Sequence, residues 1–278
     1  MKEKAVQDPL RSLDALGEFG ALDPDASVYI AIAAREARPL LDMLSRGGIT
    51  GGQTGRLLEQ TNHIAAAFYP KDTERRYLAV SQGDYPNVLA ALSLTANTDW
   101  KKVRAWNGAP YWRSDAGACS LALNDSWALI SDAEPFAHTP QTVIPPEGFD
   151  MFRQGALVAG WITDGGTSLN NLLYVLEIPI ELRPQTAFFA VNKINTRYEI
   201  RARLEIQSEE QAKGIATLFS LARLFIGQNS ALENGAPALA EPLLANPLEQ
   251  NGTVVTIRSG AMTGEEVALL FDTFSHCL

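Results

Sequence analysis

The stretch TRYEIRARLEIQSEEQAKGIATLFSLARLFIG (196–227) decides the fold. Its opening alternates: Tyr198, Ile200, Ala202, Leu204 and Ile206 share one face, and Glu199, Arg201, Arg203 and Glu205 share the other. A period of two marks a strand buried on one side, so the spacing predicts an antiparallel sheet with one solvated face. Ser208 then stands three residues before Gln211, the pattern of a helix N-cap with its N3 partner. The helix that follows places Ile215, Phe219, Ala222 and Ile226 on one seam. Ala212, Leu218 and Phe225 widen it, and Leu221 and Leu224 extend the apolar arc further. From Gly214 to Gly227 the only charge is Arg223. A surface helix normally keeps a charged outer face, and spanning a bilayer takes about 20 apolar residues. This helix is therefore expected to bury itself in a core, a partner or a membrane surface.

Moving upstream, TAFFAVN (186–192) pairs with this strand as a hairpin, and GALVAGWI (155–162) reads as another strand. Between them, GTSLNNLLYVL (166–176) predicts a helix with no charge. Leu169, Leu172, Leu173, Leu176 and Ile180 fall on its apolar stripe. Downstream, ALENGAPALAEPLLANPLEQ (231–250) carries Pro237, Pro242 and Pro247. Proline at that spacing forbids a regular helix, so a long irregular apolar connection is expected. GTVVTIRS (252–259) is a strand, and Thr263 caps a last helix bearing Val267, Leu270, Phe271 and Phe274.

The first half has similar parts. Asp8-Pro9 opens a short helix with Leu10, Leu13 and Leu16. SVYIAIAA (27–34) is a buried strand, and Pro39 starts a helix that GGITGG (47–52) interrupts. HIAAAFYP (63–70) and RYLAVSQG (76–83) form a strand pair around a KDTE turn, and YPNVLAALSL (85–94) is a helix. Residues 100–131 hold four of the five tryptophans and read as a meander of short strands packed by those rings. HTPQTVIPPEG (138–148) is the linker. The expected domains are thus 1–140, an α+β half with the Trp-rich meander, and 147–278, an α+β half with the extended apolar helix and Pro-spaced loop. Each half runs strand, helix, strand pair, helix, strand, a weak internal duplication with the element order of ferredoxin-like folds. The fold class is α+β, a mainly antiparallel sheet covered by amphipathic helices.

Composition narrows function by exclusion. The chain of 278 residues is 46% hydrophobic and 20% charged, with a net charge of −9. Nucleic-acid binding needs a basic footprint, which this balance does not offer. Cys119 and Cys277 show no metal spacing and read as unpaired thiols; a disulfide between them is the alternative in an oxidising compartment. His63, His138 and His276 stand alone. GGITGGQT (47–54) approaches a phosphate-binding loop but has Gln53 where lysine must stand. No catalytic, cofactor or metal residue is assigned, and no enzyme is expected. The opening MKEKAVQDP has no apolar core of a signal peptide. Four readings of the apolar helices stay open: an ordinary core lining, an in-plane bilayer contact, the wall of a lipid or small-molecule carrier's cavity, and a protein-interaction surface such as a homo-oligomer interface.

At NKINTRYEIRARLEIQSEEQAKGIATLFSLARLF (192–225), and in its general layout, the sequence resembles spirochaete outer-membrane-associated lipoproteins of the treponemal type. The likeness is one of texture: acidic, Ala/Leu-rich, with amphipathic helices and two strand-helix halves. The resemblance implies a non-enzymatic body on the periplasmic side of the outer membrane, tethered by a lipidated N-terminal cysteine. It also implies amphipathic helices that move, insert into the bilayer and alter its permeability. The lipobox cysteine is not in this sequence, so the anchor is expected on a longer natural form. Membrane lipid is then the expected partner. The expected contact residues are Leu169, Leu172, Leu173, Leu176, Ile180, Ile215, Leu218, Phe219, Ala222, Phe225 and Ile226.

Overall fold

The computed structural model describes residues 22–44, 57–70, 75–115, 119–137, 143–228 and 236–278, together with Leu10, Leu13, 18–20 and Thr73. The expected Leu16 turn, the GGITGG interruption, most of the KDTE turn and the start of the Pro-rich linker lie outside these residues. The chain forms two compact units: Met1–Arg35 with Gly52–Ile144, and Glu36–Gly51 with Pro145–Leu278. The change of unit at 144/145 falls within the Pro-rich linker of the sequence reading. The segment 36–51, assigned there to the first half, packs with the second.

Strand β1 (Val28–Ala33) is followed by helix α1 (Arg38–Leu44), which belongs to the second unit. The first unit continues with β2 (Thr61–Phe68), β3 (Tyr77–Gly83), helix α2 (Asn87–Ala96) and β4 (Trp100–Arg104). It ends with β5 (Pro110–Ser114), β6 (Ser120–Leu123) and β7 (Trp127–Ser131). Its strands pair antiparallel in the order β1-β2-β3-β7-β6-β5-β4. Tyr85 and Leu94, at the two ends of the α2 segment, pack on Trp112, Leu121, Leu123 and Ala128 of the meander. Trp112 and Trp127 are buried, as tryptophans that pack a sheet should be. Trp106 departs from that reading: it is 71% exposed, and its indole N–H donates to the Phe136 carbonyl at 2.6 Å.

The first unit also buries a charge pair. Arg75 donates to Asp23 at 2.6 Å, with side-chain exposures of 7% and 15%. Its second terminal nitrogen donates to the Glu134 carbonyl at 2.9 Å. Tyr69 sits against the same carboxylate, and Tyr29 donates to the Asp23 carbonyl at 2.7 Å. Burial pushes the Tyr29 phenol up to about 12 and raises that of Tyr69 as well.

The second unit contains α3 (Phe149–Phe152), β8 (Val158–Ile162), α4 (Thr167–Val175), β9 (Thr186–Ile194) and β10 (Arg197–Glu205). It continues through α5 (Glu209–Gln228), the short α6 (Ala240–Leu243), β11 (Glu249–Asn251), β12 (Val254–Arg258) and α7 (Gly264–Cys277). The strands pair antiparallel in the order β8-β9-β10-β12-β11. The β9–β10 hairpin has the expected register, with Ala202 opposite Phe189 and Leu204 opposite Ala187. Ser208 Oγ accepts from the Gln211 N–H, and Thr263 with Glu266 closes a full capping box on α7.

Both units share one plan. β1, β2, β3 and β7 lie side by side in chain order, and so do β8, β9, β10 and β12. A helix follows the first and third strand of each set, at α1 and α2, then at α4 and α5. The fold is therefore α+β with two similar halves, but the strands form a meander and not the interleaved order of a ferredoxin-like sheet. Two expectations are corrected. The face bearing Arg201 and Arg203 is only partly open to solvent. Phe149 and Phe152 of α3 pack on Trp161 and Phe188 there, and the Arg201 guanidinium lies 4.6 Å from the Phe152 ring centre. The Pro-spaced connection is also not irregular throughout: Ala236–Leu239 form a 3-10 turn, α6 follows, and β11 adds an edge strand.

Removing one partner of a buried pair strands the other charge, at a cost of about 3–5 kcal/mol. Arg75→Ala is expected to lower the stability of the first unit by that amount, measured by urea unfolding. The tyrosines add a pH limit. Their phenols ionise above about pH 10 in an unfolded chain, while the folded chain keeps those protons. Stability from their burial is whole below pH 10 and is lost as pH rises toward 12. Phenolate absorbance and far-UV circular dichroism should then change together in one alkaline transition.

Candidate functional site

The site is built on the face of the second unit's sheet that α4, α5 and α7 cover. Each helix brings apolar side chains, and together they leave a cavity of about 140 Å³. The floor is sheet: Ile162, Phe189, Val191, Ile200, Ala202, Leu204 and Ile257. The roof is helix: Leu169, Leu172, Leu173 and Leu176 from α4, Phe219 from α5, and Leu270, Phe271 and Phe274 from α7. Ser259 is the one polar residue of the lining. Its hydroxyl accepts from the Ile200 N–H at 2.8 Å and donates to the Gly260 carbonyl at 2.7 Å. The wall thus offers no free donor or acceptor. An apolar cavity of about 150 Å³ stays dry and admits a benzene-sized molecule. Such a lining matches hydrocarbon in its chemistry.

Local sequence fixes α4 over the cavity. The Asp164 carboxylate accepts from the Gly166 and Ser168 N–H groups at 3.0 and 2.9 Å and from the Ser168 hydroxyl. Gly166 has a φ of 93°, and a Cβ there would stand 2.7 Å from Pro184 Cδ, so only glycine fits this turn. Further along, Asn170 clasps the returning chain. Its Nδ2 donates to the Leu182 carbonyl at 2.8 Å and its Oδ1 accepts from the Leu182 N–H at 2.7 Å.

Helix α5 is held differently. Ala212, Phe219 and Ala222 are buried, and Ile215 and Ile226 are half-buried. Beside that strip lies a second apolar one, left exposed among the described residues: Leu218 is 46% exposed, Leu221 46%, Leu224 62% and Phe225 63%. Two small alanines let the helix approach closely, and Phe219 is the one large side chain of α5 that is fully buried.

The residues named from the sequence therefore part company. Leu169, Leu172, Leu173, Leu176 and Phe219 come together on the cavity wall. Ile180 is buried outside it, and Ile215, Ala222 and Ile226 serve the packed side of α5. Leu218 and Phe225 face outward. Sequence reasoning placed Leu270, Phe271 and Phe274 on the last helix without giving them a role, and they line the cavity. It noticed Leu221 and Leu224 as an excess of apolar arc without naming them as contacts. Among the described residues no helix is long and apolar enough to cross a membrane.

The α+β fold has counterparts among known proteins. The family model described as outer membrane-associated lipoprotein TP0453 matches residues 13–130. Solved structures of TP0453 are similar over nearly the whole chain. Crystal form I matches at 14% identity and a TM-score of 0.67, covering 92% of this chain and 97% of its own. Crystal form III matches at 14% identity and 0.68, covering 94% and 100%, and crystal form IV at 13% and 0.62, covering 92% and 96%. No curated protein matches by sequence. The resemblance to these lipoproteins is borne out, although the matching sequence lies mainly in the first unit and does not reach 192–225, where the similarity is one of fold.

The clasp gives a test of how α4 is held. Deleting the amide leaves two buried backbone groups of Leu182 unpaired, at about 1–3 kcal/mol each. Asn170→Ala should lower stability within that range and speed hydrogen exchange at the Leu182 amide, read by NMR.

Proposed function

We propose that this protein is the body of an outer-membrane lipoprotein that docks on the periplasmic leaflet through α5. The observation that carries the reading is the bare apolar strip of Leu218, Leu221, Leu224 and Phe225. Exposed leucines scattered singly need no explanation, but a contiguous strip on one helix marks a contact surface. With Arg223 as the only charge beyond Lys213 on this helix, attachment would draw on apolar area and not on anionic lipid. A lipid anchor would add the second signal that stable attachment needs. Insertion that changes permeability would be a further step of the same proposal, driven by the same apolar strip. Tyr174, 85% exposed on α4, supports a second contact at the same surface, since tyrosine favours the membrane interface.

The second reading, a carrier of lipid or another apolar molecule, is favoured by the cavity. At about 140 Å³ it is smaller than the roughly 300–1,000 Å³ of ordinary ligand sites. A carrier would have to enlarge it.

Liposome flotation tests the docking reading. The wild-type protein should rise with vesicles, and the double variant Leu221→Glu with Phe225→Glu should stay behind. Burying two such side chains is worth about 1.5–3 kcal/mol each at most, so partitioning should fall at least tenfold. Exposed sites like these change folding stability by about 0.5 kcal/mol or less, so the variant's melting temperature should hold. Wild-type protein left at the bottom at every pH and lipid composition would sink the idea.

A further inference from the structure

We propose that the groove between α5 and the segment Leu244–Leu248 is the entrance to the cavity, and that it takes a long-chain fatty acid with its carboxylate on Arg223. The inference rests on the carrier reading and adds a route and a ligand class to it. The groove holds about 570 Å³ and is lined by Phe219, Ser220, Arg223 and Leu224 on one side. Leu244, Asn246, Pro247 and Leu248 form the other. Phe219 and Leu244 also line the cavity, so these two side chains are the partition between the two spaces. The cavity alone admits the end of an alkyl chain, and cavity with groove reaches the volume range of ordinary ligand sites.

The rim selects charge. The Ser220 hydroxyl is committed to the Ala216 carbonyl at 2.8 Å, and the Asn246 amide donates to the Ser259 carbonyl at 2.7 Å. Arg223 is exposed, and no ion pair to it forms among the described residues. Its guanidinium is thus the polar group at the rim with donors to spare. One passage between two side chains fits one alkyl chain, and one guanidinium fits one carboxylate, which it can grip with two parallel hydrogen bonds.

Calorimetric titration of the full chain with dodecanoate and with dodecan-1-ol at pH 8 tests both parts. Arg223→Gln should weaken dodecanoate about fivefold, the upper range for an exposed ion pair, and leave dodecan-1-ol unchanged. Leu244→Trp should block the passage and weaken both at least tenfold, while Phe219→Ala should open it and speed association of both. An Arg223→Gln effect that is equal for the two ligands, or absent, overturns the headgroup assignment. Association rates, read by stopped-flow mixing with dodecanoate, that neither Phe219→Ala nor Leu244→Trp changes overturn the entrance. Flotation separates this proposal from membrane docking: wild-type protein that floats with vesicles yet binds no dodecanoate overturns the entrance and leaves the docking surface standing.

Discussion

The second unit is governed by a mismatch of area. Helices α4, α5 and α7 present more apolar surface than a five-stranded sheet can cover, and β11 is only three residues long. A helix of 20 residues such as α5 runs about 30 Å, while a three-residue strand reaches about 10 Å. The sheet therefore satisfies a narrow strip of α5, through two alanines and one phenylalanine. What it cannot reach has two destinations, the interior cavity and the open strip of Leu218, Leu221, Leu224 and Phe225. Both features that suggest lipid come from the same shortage of sheet.

The first unit covers its helix differently, although Val88 and Leu92 of α2 stay exposed. Its meander adds three strands where the second unit has a Pro-spaced connection. Those strands supply Trp112, Leu121 and Leu123 to close over α2. It also spends a buried ion pair, Arg75 with Asp23, on joining the strand ends. A pair of that kind tolerates loss of either partner poorly. The two halves thus differ in construction, one pinned by a buried ion pair, the other with helices above an apolar cavity.

Much of this was legible because local periodicity reports local burial. The alternation at 198–206, the caps at Ser208 and Thr263 and the short strands among the tryptophans all follow from spacing within a few residues. Periodicity also found the apolar stripes of α4 and α5. It could not divide the α5 arc into packed and bare parts, because that depends on how far β12 and β11 extend beneath it. Nor could it see that Phe149 and Phe152 would cover Arg201 and Arg203: a four-residue helix has no period to read. Strand order was out of reach for a related reason, since the same succession of elements serves a meander and a ferredoxin-like sheet. The cavity needed three helices from distant parts of the chain, so no single segment announced it.

The strands at the free ends of these ladders bear on how copies of the protein can meet. β4, paired only with β5, carries Lys101, Lys102 and Arg104 outward, and β11, paired only with β12, is very short. Charge and brevity both discourage strand addition by another molecule. A protein that displays leucines on a helix runs a risk of self-association. Its edges discourage the route through cross-strand assembly and leave helix-to-helix contact as the surface that self-association would use.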